Sequence, residues 1–342
     1  MPSIARSHKQ GDIYFHSPCF DGIVSCVLAW EFLEAEEGWA IDRLHPVNYD
    51  FRRQWLRTKI SKRSAVVDFL YHPDAIFWVD HHLSTFLTKA AKQSFQRRSS
   101  SFLIYDSQAE SCSVLLWDRV RDSLAPKRPD YPELVEWSRR IDSADYASVE
   151  EAIFGSHPAL RINSSLVGGE IDYPEKLVRL LRTHTLEQVA KVPEVRNKTE
   201  RVRSLMSSGL KLFRRTAEVT RDGIVMFDVD GKGSIVSRYA PFYFFPEARY
   251  SVGLTRGENG TKITAMRNPW RNFRGVKLGS IFTGIGGGGH ERVASSILPA
   301  GRRREAGSIL TKIISEIRRC EQIQDGDSKQ LNDSSRVKAG AG

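Results

Sequence analysis

The chain has 342 residues, enough for two domains that each bury a core, and its 40% hydrophobic and 27% charged residues are those of an ordinary globular protein. No apolar run approaches the roughly 20 residues that span a bilayer, Met1 to Asp12 is polar like no secretory leader, and Cys19, Cys26, Cys112 and Cys320 form no CxxC pair. A membrane protein, a disulfide framework and a structural zinc site are thereby argued against, and a reducing cytoplasm is the expected setting.

In chain order, Ile13–Phe15 is an apolar run that stops at His16, and Ile23 to Phe32 carries Ile23, Val27, Trp30 and Leu33 at helical spacing. Ala65–Phe69 and Ala75–Val79 read as two more buried strands. Phe102–Tyr105 reads as a fourth, before a helix through Cys112–Arg121. Strands alternating with helices predict an α/β lobe with a largely parallel sheet covered by helices on both faces. From about Glu175 to Thr220 the pattern is long, charged and helical, with Val202, Leu205, Leu210 and Phe213 as an apolar stripe. Strand-like runs return at Ile224–Val229, Tyr250–Thr255 and Lys262–Arg267, and a glycine cluster leads into a run expected to be helical from about Glu291. The expected organisation is a first domain over 1–160, a helical connector over 161–222, a smaller α/β domain over 223–320 and a disordered tail over 321–342.

The net charge of +10 is localised. Between Gly231 and Arg304 thirteen Lys or Arg stand against three acids (Glu247, Glu258 and Glu291), so this stretch carries the whole excess. Either an anionic partner binds there or the surface is merely solvated and basic.

The residues able to bind metal fall at the ends of the first strands. His16 follows the first run, with Asp21 in the loop beyond; Asp68 lies in the second; Asp80, His81 and His82 end the third; Asp142 and Asp145 come later. In a parallel sheet these positions converge on the C-terminal edge, where ligands bind. Carboxylates mixed with imidazoles suit one or two divalent ions, Mn²⁺ first, with Mg²⁺ or Co²⁺ as competitors. Asp68 is informative because an acid between Val67 and Phe69 is costly to bury alone. In the basic stretch, Gly286 to Gly289 and His290 let backbone N–H groups approach a phosphate, and a helix starting near Glu291 would add its N-terminal field.

Taken together, these segments resemble the DHH phosphoesterase superfamily. The core motif stands as Trp78-Val79-Asp80-His81-His82-Leu83-Ser84, and the upstream motif as His16-Ser17-Pro18-Cys19-Phe20-Asp21-Gly22. Ala65-Val66-Val67-Asp68-Phe69 and Arg140-Ile141-Asp142-Ser143 supply two further acids, and the glycine–histidine cluster looks like the signature of a C-terminal DHHA1 domain. The resemblance covers about Asp12 to Leu298.

What it implies is a DHH domain with His16, Asp21, Asp68, His81 and Asp142 as metal ligands, Asp68 bridging, His82 facing the scissile phosphate and Asp80 orienting its neighbours. Arg267, Gly287, Gly288, Gly289 and His290 would hold substrate phosphate in the DHHA1 domain. Many members carry Asp-x-Asp in the first motif; here the earlier position is Cys19, either a soft ligand or none, and Asp145 competes with Asp142.

The implied activity is hydrolysis of phosphate esters in a small nucleotide or short oligonucleotide, of the nanoRNase, oligoribonuclease or cyclic-dinucleotide phosphodiesterase kind. The alternative is a non-catalytic relative that binds nucleotide or nucleic acid. No membrane partner is expected, and the oligomeric state is left open, a homodimer included.

Overall fold

The computed structural model describes residues 9–98, 100–258, 260–289 and 291–339, with only the backbone described over 324–339. The chain divides into two compact units, residues 1–203 and 204–342.

The first unit holds strands β1 (Lys9–His16), β2 (Trp39–Val47), β3 (Ser64–Val67), β4 (Phe77–Asp80) and β5 (Leu103–Tyr105). They form one parallel sheet in the order β2-β1-β3-β4-β5. Helix α1 (Phe20–Ala35) follows β1, and α2 (Lys89–Arg97), α3 (Cys112–Leu124) and α4 (Tyr131–Ser143) come after β4 and β5. The short helices α5 (Val149–Phe154), α6 (Pro158–Ser165), α7 (Tyr173–Thr183) and α8 (Leu186–Lys191) complete the unit, and α9 (Pro193–Thr216) crosses the division.

Both faces of this sheet are covered, so its central strands read as continuous apolar runs. Every residue of β3 and β4 is buried. Tyr14, Val66 and Trp78 point into an aromatic layer with Trp55, Tyr71, Phe86 and Phe95. Helix α1 packs on the sheet and against α3, α4 and α7, which explains burial on nearly every side. Arg182 of α7 stacks 4.0 Å over Trp30 of α1 and pairs with Glu31 at 2.8 Å and Glu34 at 2.6 Å. Residues 161–203, expected in a connector, therefore lie in the first unit. The amphipathic pattern showed that they were helical but could not show where they pack.

Strand β2 gave no clear sequence signal. It is an edge strand with exposed Asp42 and Arg43 and a shifted register against Gly11/Asp12, which breaks the alternation. No helix among the described residues is long and apolar enough to cross a membrane.

The second unit holds β6 (Glu218–Val219), β7 (Ile224–Asp230), β8 (Tyr250–Arg256), β9 (Gly260–Arg267), β10 (Gly288–Gly289) and β11 (Val293–Pro299), with α10 (Ala240–Phe244), α11 (Leu278–Thr283) and α12 (Ala306–Ala339). Sheet order is β10-β11-β9-β8-β7-β6; β7 and β8 are parallel and the other pairs antiparallel. Ile313, Ile314 and Ile317 of α12 pack against Tyr250, Val252, Leu254 and Ile263.

Two expectations are corrected here. The run after Glu291 is a strand, not a helix: Ala294, Ser296 and Leu298 alternate inward, and the strand pairs with β9 along its whole length. No helix N-terminus therefore backs the glycine cluster. The disordered tail expected over 321–342 is also revised in part, because α12 runs as far as Ala339 among the described residues. Glu321 binds Arg249 at 2.5 Å and accepts from the Tyr250 hydroxyl at 2.8 Å, and this long-range tie is invisible in local composition.

Candidate metal centre

The parallel register builds the site. His16 pairs with Val47, Phe15 with Val67 and Val67 with Val79, so His16, Asp68 and Asp80 end three neighbouring strands in one row. Asp68 takes a left-handed backbone, φ 54°, while its N–H still donates to Val79 O at 3.0 Å. Asp tolerates this region better than most residues, and the turn leaves its carboxylate buried at the sheet edge. Gly22 is required beside it: a Cβ there would lie 2.0 Å from the His16 carbonyl oxygen, where α1 starts against the end of β1.

Seven polar side chains meet there. His16 Nδ1 is 3.2 Å from Asp68 Oδ2. His81 Nε2 is 3.4 Å from Asp142 Oδ2, 3.7 Å from Asp68 Oδ1 and 4.0 Å from Asp21 Oδ2. The Nδ1 of His81 faces the Ala109 carbonyl at 3.1 Å, so it carries the proton and Nε2 presents its lone pair to the acids.

Asp80 is used up inside the protein. It accepts from the His81 N–H at 2.8 Å, from His82 Nδ1 at 2.7 Å, and from the Thr85 hydroxyl. This holds the His81–His82 turn and directs His82 Nε2 toward any ion or phosphoryl group. Burial opposes charge on both Asp80 and His82. Their mutual attraction and hydrogen bond outweigh it, holding the acid below and the imidazole above their ordinary values.

Asp21 is fixed from a distance. Its oxygens accept the N–H groups of Cys112 at 2.7 Å and Ser113 at 3.0 Å, in the first turn of α3, and the Ser138 hydroxyl at 2.8 Å. A buried charge at a helix N-terminus is stabilised by those unpaired donors and their dipole. Asp142, at the end of α4, reaches the centre; Asp145 instead pairs with Arg139 at 2.7 Å and is exposed. Of the two acids the sequence left in competition, the geometry brings in Asp142.

Two groups of three donors result, His16/Asp68/His82 and Asp21/His81/Asp142, each with its ligand atoms within 4.8 Å of one another. The first is richer in nitrogen and the second in oxygen. Asp68 joins them, lying 3.7 Å from both His81 and His82. Its Oδ1 is buried with no hydrogen-bond partner among the described residues. Burial first, and then the charges of Asp21, Asp142 and Asp80, push the Asp68 carboxyl well above the usual range. Asp21 and Asp68, buried side by side with Asp142 and His81, form a donor set that fits a divalent ion.

Cys19 sits at the start of α1, where its side chain caps nothing. Burial, then the charges of Asp68, Asp142 and Asp21, push its thiol well above the ordinary range.

In the second unit Arg267 lines a cavity of about 300 Å³ with Asn268, Trp270, Arg271, Asn272 and Arg292. Its guanidinium donates to Phe273 O at 2.7 Å and lies 4.9 Å over the Phe273 ring. Gly275 makes room for it, since a Cβ there would meet Nε at 2.3 Å. Arg292 joins because the Arg267 N–H donates to its carbonyl at 2.8 Å, across the β9–β11 ladder. Gly287, Gly288 and Gly289 do not line this cavity. Gly287 and Gly289 pack on β11, where side chains would meet Ser295 O at 2.5 Å and Val293 O at 2.3 Å. His290 lies outside the described residues.

Sequence reasoning missed Thr85, which holds Asp80, Ser138 and the α3 amides, which hold Asp21, and Arg292. Arg292 could have been found from a correct β11 assignment; the others carry no local signal.

No family model matches the chain, and no curated protein does. Solved structures do match in fold. A pGpG-specific phosphodiesterase, PggH from Vibrio cholerae, is 17% identical over 90% of this chain and 99% of its own, with a TM-score of 0.63. The DHH domain of a member of a ribosomal-protein family is 12% identical over 90% of this chain and 87% of its own, TM-score 0.58. RecJ from Thermus thermophilus in complex with Mn²⁺ is 15% identical over 91% of this chain and 53% of its own, TM-score 0.56.

Proposed function

We propose that this chain, which has the fold of the DHH proteins, is a metal-dependent phosphoesterase acting on a small nucleotide or short oligonucleotide. One observation carries the reading: Asp21, Asp68, Asp80 and Asp142 are gathered with three imidazoles at the C-terminal edge of a parallel sheet, with Asp68 Oδ1 buried and unpartnered among the described residues.

His16, Asp21, Asp68, His81 and Asp142 would hold one or two divalent ions, with Asp68 shared. A bound ion supplies Lewis acidity and activates water. Imidazoles mixed with carboxylates favour Mn²⁺ or Co²⁺ over Mg²⁺. Asp80 keeps the His81–His82 turn rigid. His82, oriented by its Nδ1 contact with Asp80, faces the phosphoryl group.

In the second unit, taken as a DHHA1 domain, Arg267 and Arg292 grip substrate phosphate, and Trp270 offers a stacking face for a base. The fold likeness to a pGpG phosphodiesterase supports a short nucleotide substrate.

The test is metal analysis of the purified protein, followed by a panel of mono-, di- and oligonucleotides with Mn²⁺, with and without EDTA. Mn²⁺-dependent turnover lost in His81→Ala is expected. Chelator-insensitive nucleotide binding without product across the panel would instead establish the binding-protein alternative.

A further inference from the structure

The chain leaving β2 ends beside the chain leaving β1: His16 pairs with Val47, and the Ser17 N–H donates to Val47 O at 2.8 Å. Asn48 then starts a 3₁₀ turn over Tyr49–Arg53, its side chain accepting the Asp50 N–H at 2.9 Å. The turn lays Tyr49 over the sheet edge. Its ring meets His16 edge-on at 5.0 Å and His82 at 5.9 Å, with interplanar angles of 72° and 70°, and Phe69 at 5.5 Å. Tyr49 thus packs on both imidazoles of the nitrogen-rich group.

The ring is only half-buried, yet the hydroxyl is buried and has no hydrogen-bond partner among the described residues. A buried hydroxyl left unpaired has lost its water partner for nothing in return. Phenylalanine would keep every ring contact without that cost, so the hydroxyl points to a partner that is not protein. A phenol is protonated at neutral pH. On a ring packed against His16 and His82 it is a donor beside the centre, and the partner it lacks is an acceptor oxygen.

We propose that Tyr49 Oη donates a hydrogen bond to a phosphoryl oxygen of the substrate bound at the metal centre. This assignment rests on the phosphoesterase reading and adds a substrate-contacting residue from an element outside the motif segments.

The test compares the full chain with its Tyr49→Phe variant by calorimetry, titrating Mn²⁺ first and then inorganic phosphate into the Mn²⁺-loaded protein. Mn²⁺ affinity is expected to stay within about twofold, because the ring packing on His16 and His82 is kept. Phosphate affinity should fall roughly 10- to 100-fold, the size of a charge-assisted hydrogen bond. The melting temperature without metal should be unchanged or higher. Unchanged phosphate affinity overturns the assignment, as does a melting temperature several degrees lower, which would mean that the hydroxyl is bound within the protein. If the parent protein takes up no Mn²⁺, the phosphoesterase reading itself fails, and this assignment with it.

Discussion

The two units handle charge in opposite ways. The first concentrates buried acids at one sheet edge and fixes them with donors from distant elements: Asp21 by the start of α3, Asp80 by its own following turn and Thr85. The second spreads its positive charge over strand ends and a loop, with Arg267, Arg271 and Arg292 around a more open cavity. Buried acids repel one another strongly and call for a small, highly charged ion. Partly exposed guanidinium groups act through hydrogen-bond geometry and suit a larger, diffuse anion.

Substitutions can break or sharpen that contrast. Asp68→Asn is expected to have the largest effect: Mn²⁺ content measured by elemental analysis collapses and turnover falls by on the order of 10³-fold or more. The same variant should melt higher than the parent in EDTA, because it removes a carboxyl whose ionisation is opposed by burial and by three neighbouring acids. Asp142→Asn should weaken Mn²⁺ binding about 10- to 100-fold.

Arg267→Ala belongs to the other regime. Metal content should be unchanged while KM for a dinucleotide rises about tenfold, as removal of one charged hydrogen-bonding group predicts. Mn²⁺ at a hundredfold excess over its Kd should stabilise the protein by about 2.7 kcal/mol, read as a melting shift that EDTA abolishes. Asp145→Asn anchors the low end: its carboxylate lies in a surface ion pair, and activity should stay within about twofold. If Asp145→Asn matched Asp142→Asn, the metal centre would extend beyond the two groups of three donors.

Much of the first unit was legible before folding. Short apolar runs ending on His16, Asp68 and Asp80–His82 announce a parallel sheet with ligands at its edge, since burial on both faces demands apolar strands and tolerates acids only where they end. The edge strand β2 was not legible, because half-exposed edges blur the pattern, and Tyr49 was lost with it. The second unit was harder to read. The Val293–Pro299 strand was taken for a helix because short apolar runs fit either period until a partner strand selects one.

The sequence by itself determined which residue types stand at the strand ends and where the positive charge lies, because both follow from composition along the chain. Tertiary structure alone brought Asp142 rather than Asp145 up to His81, locked Asp21 with amides some ninety residues away, and packed Tyr49 on His16 and His82. These depend on which elements come to lie side by side, and the free energy that sets this is summed over a whole core, not written in any local spacing.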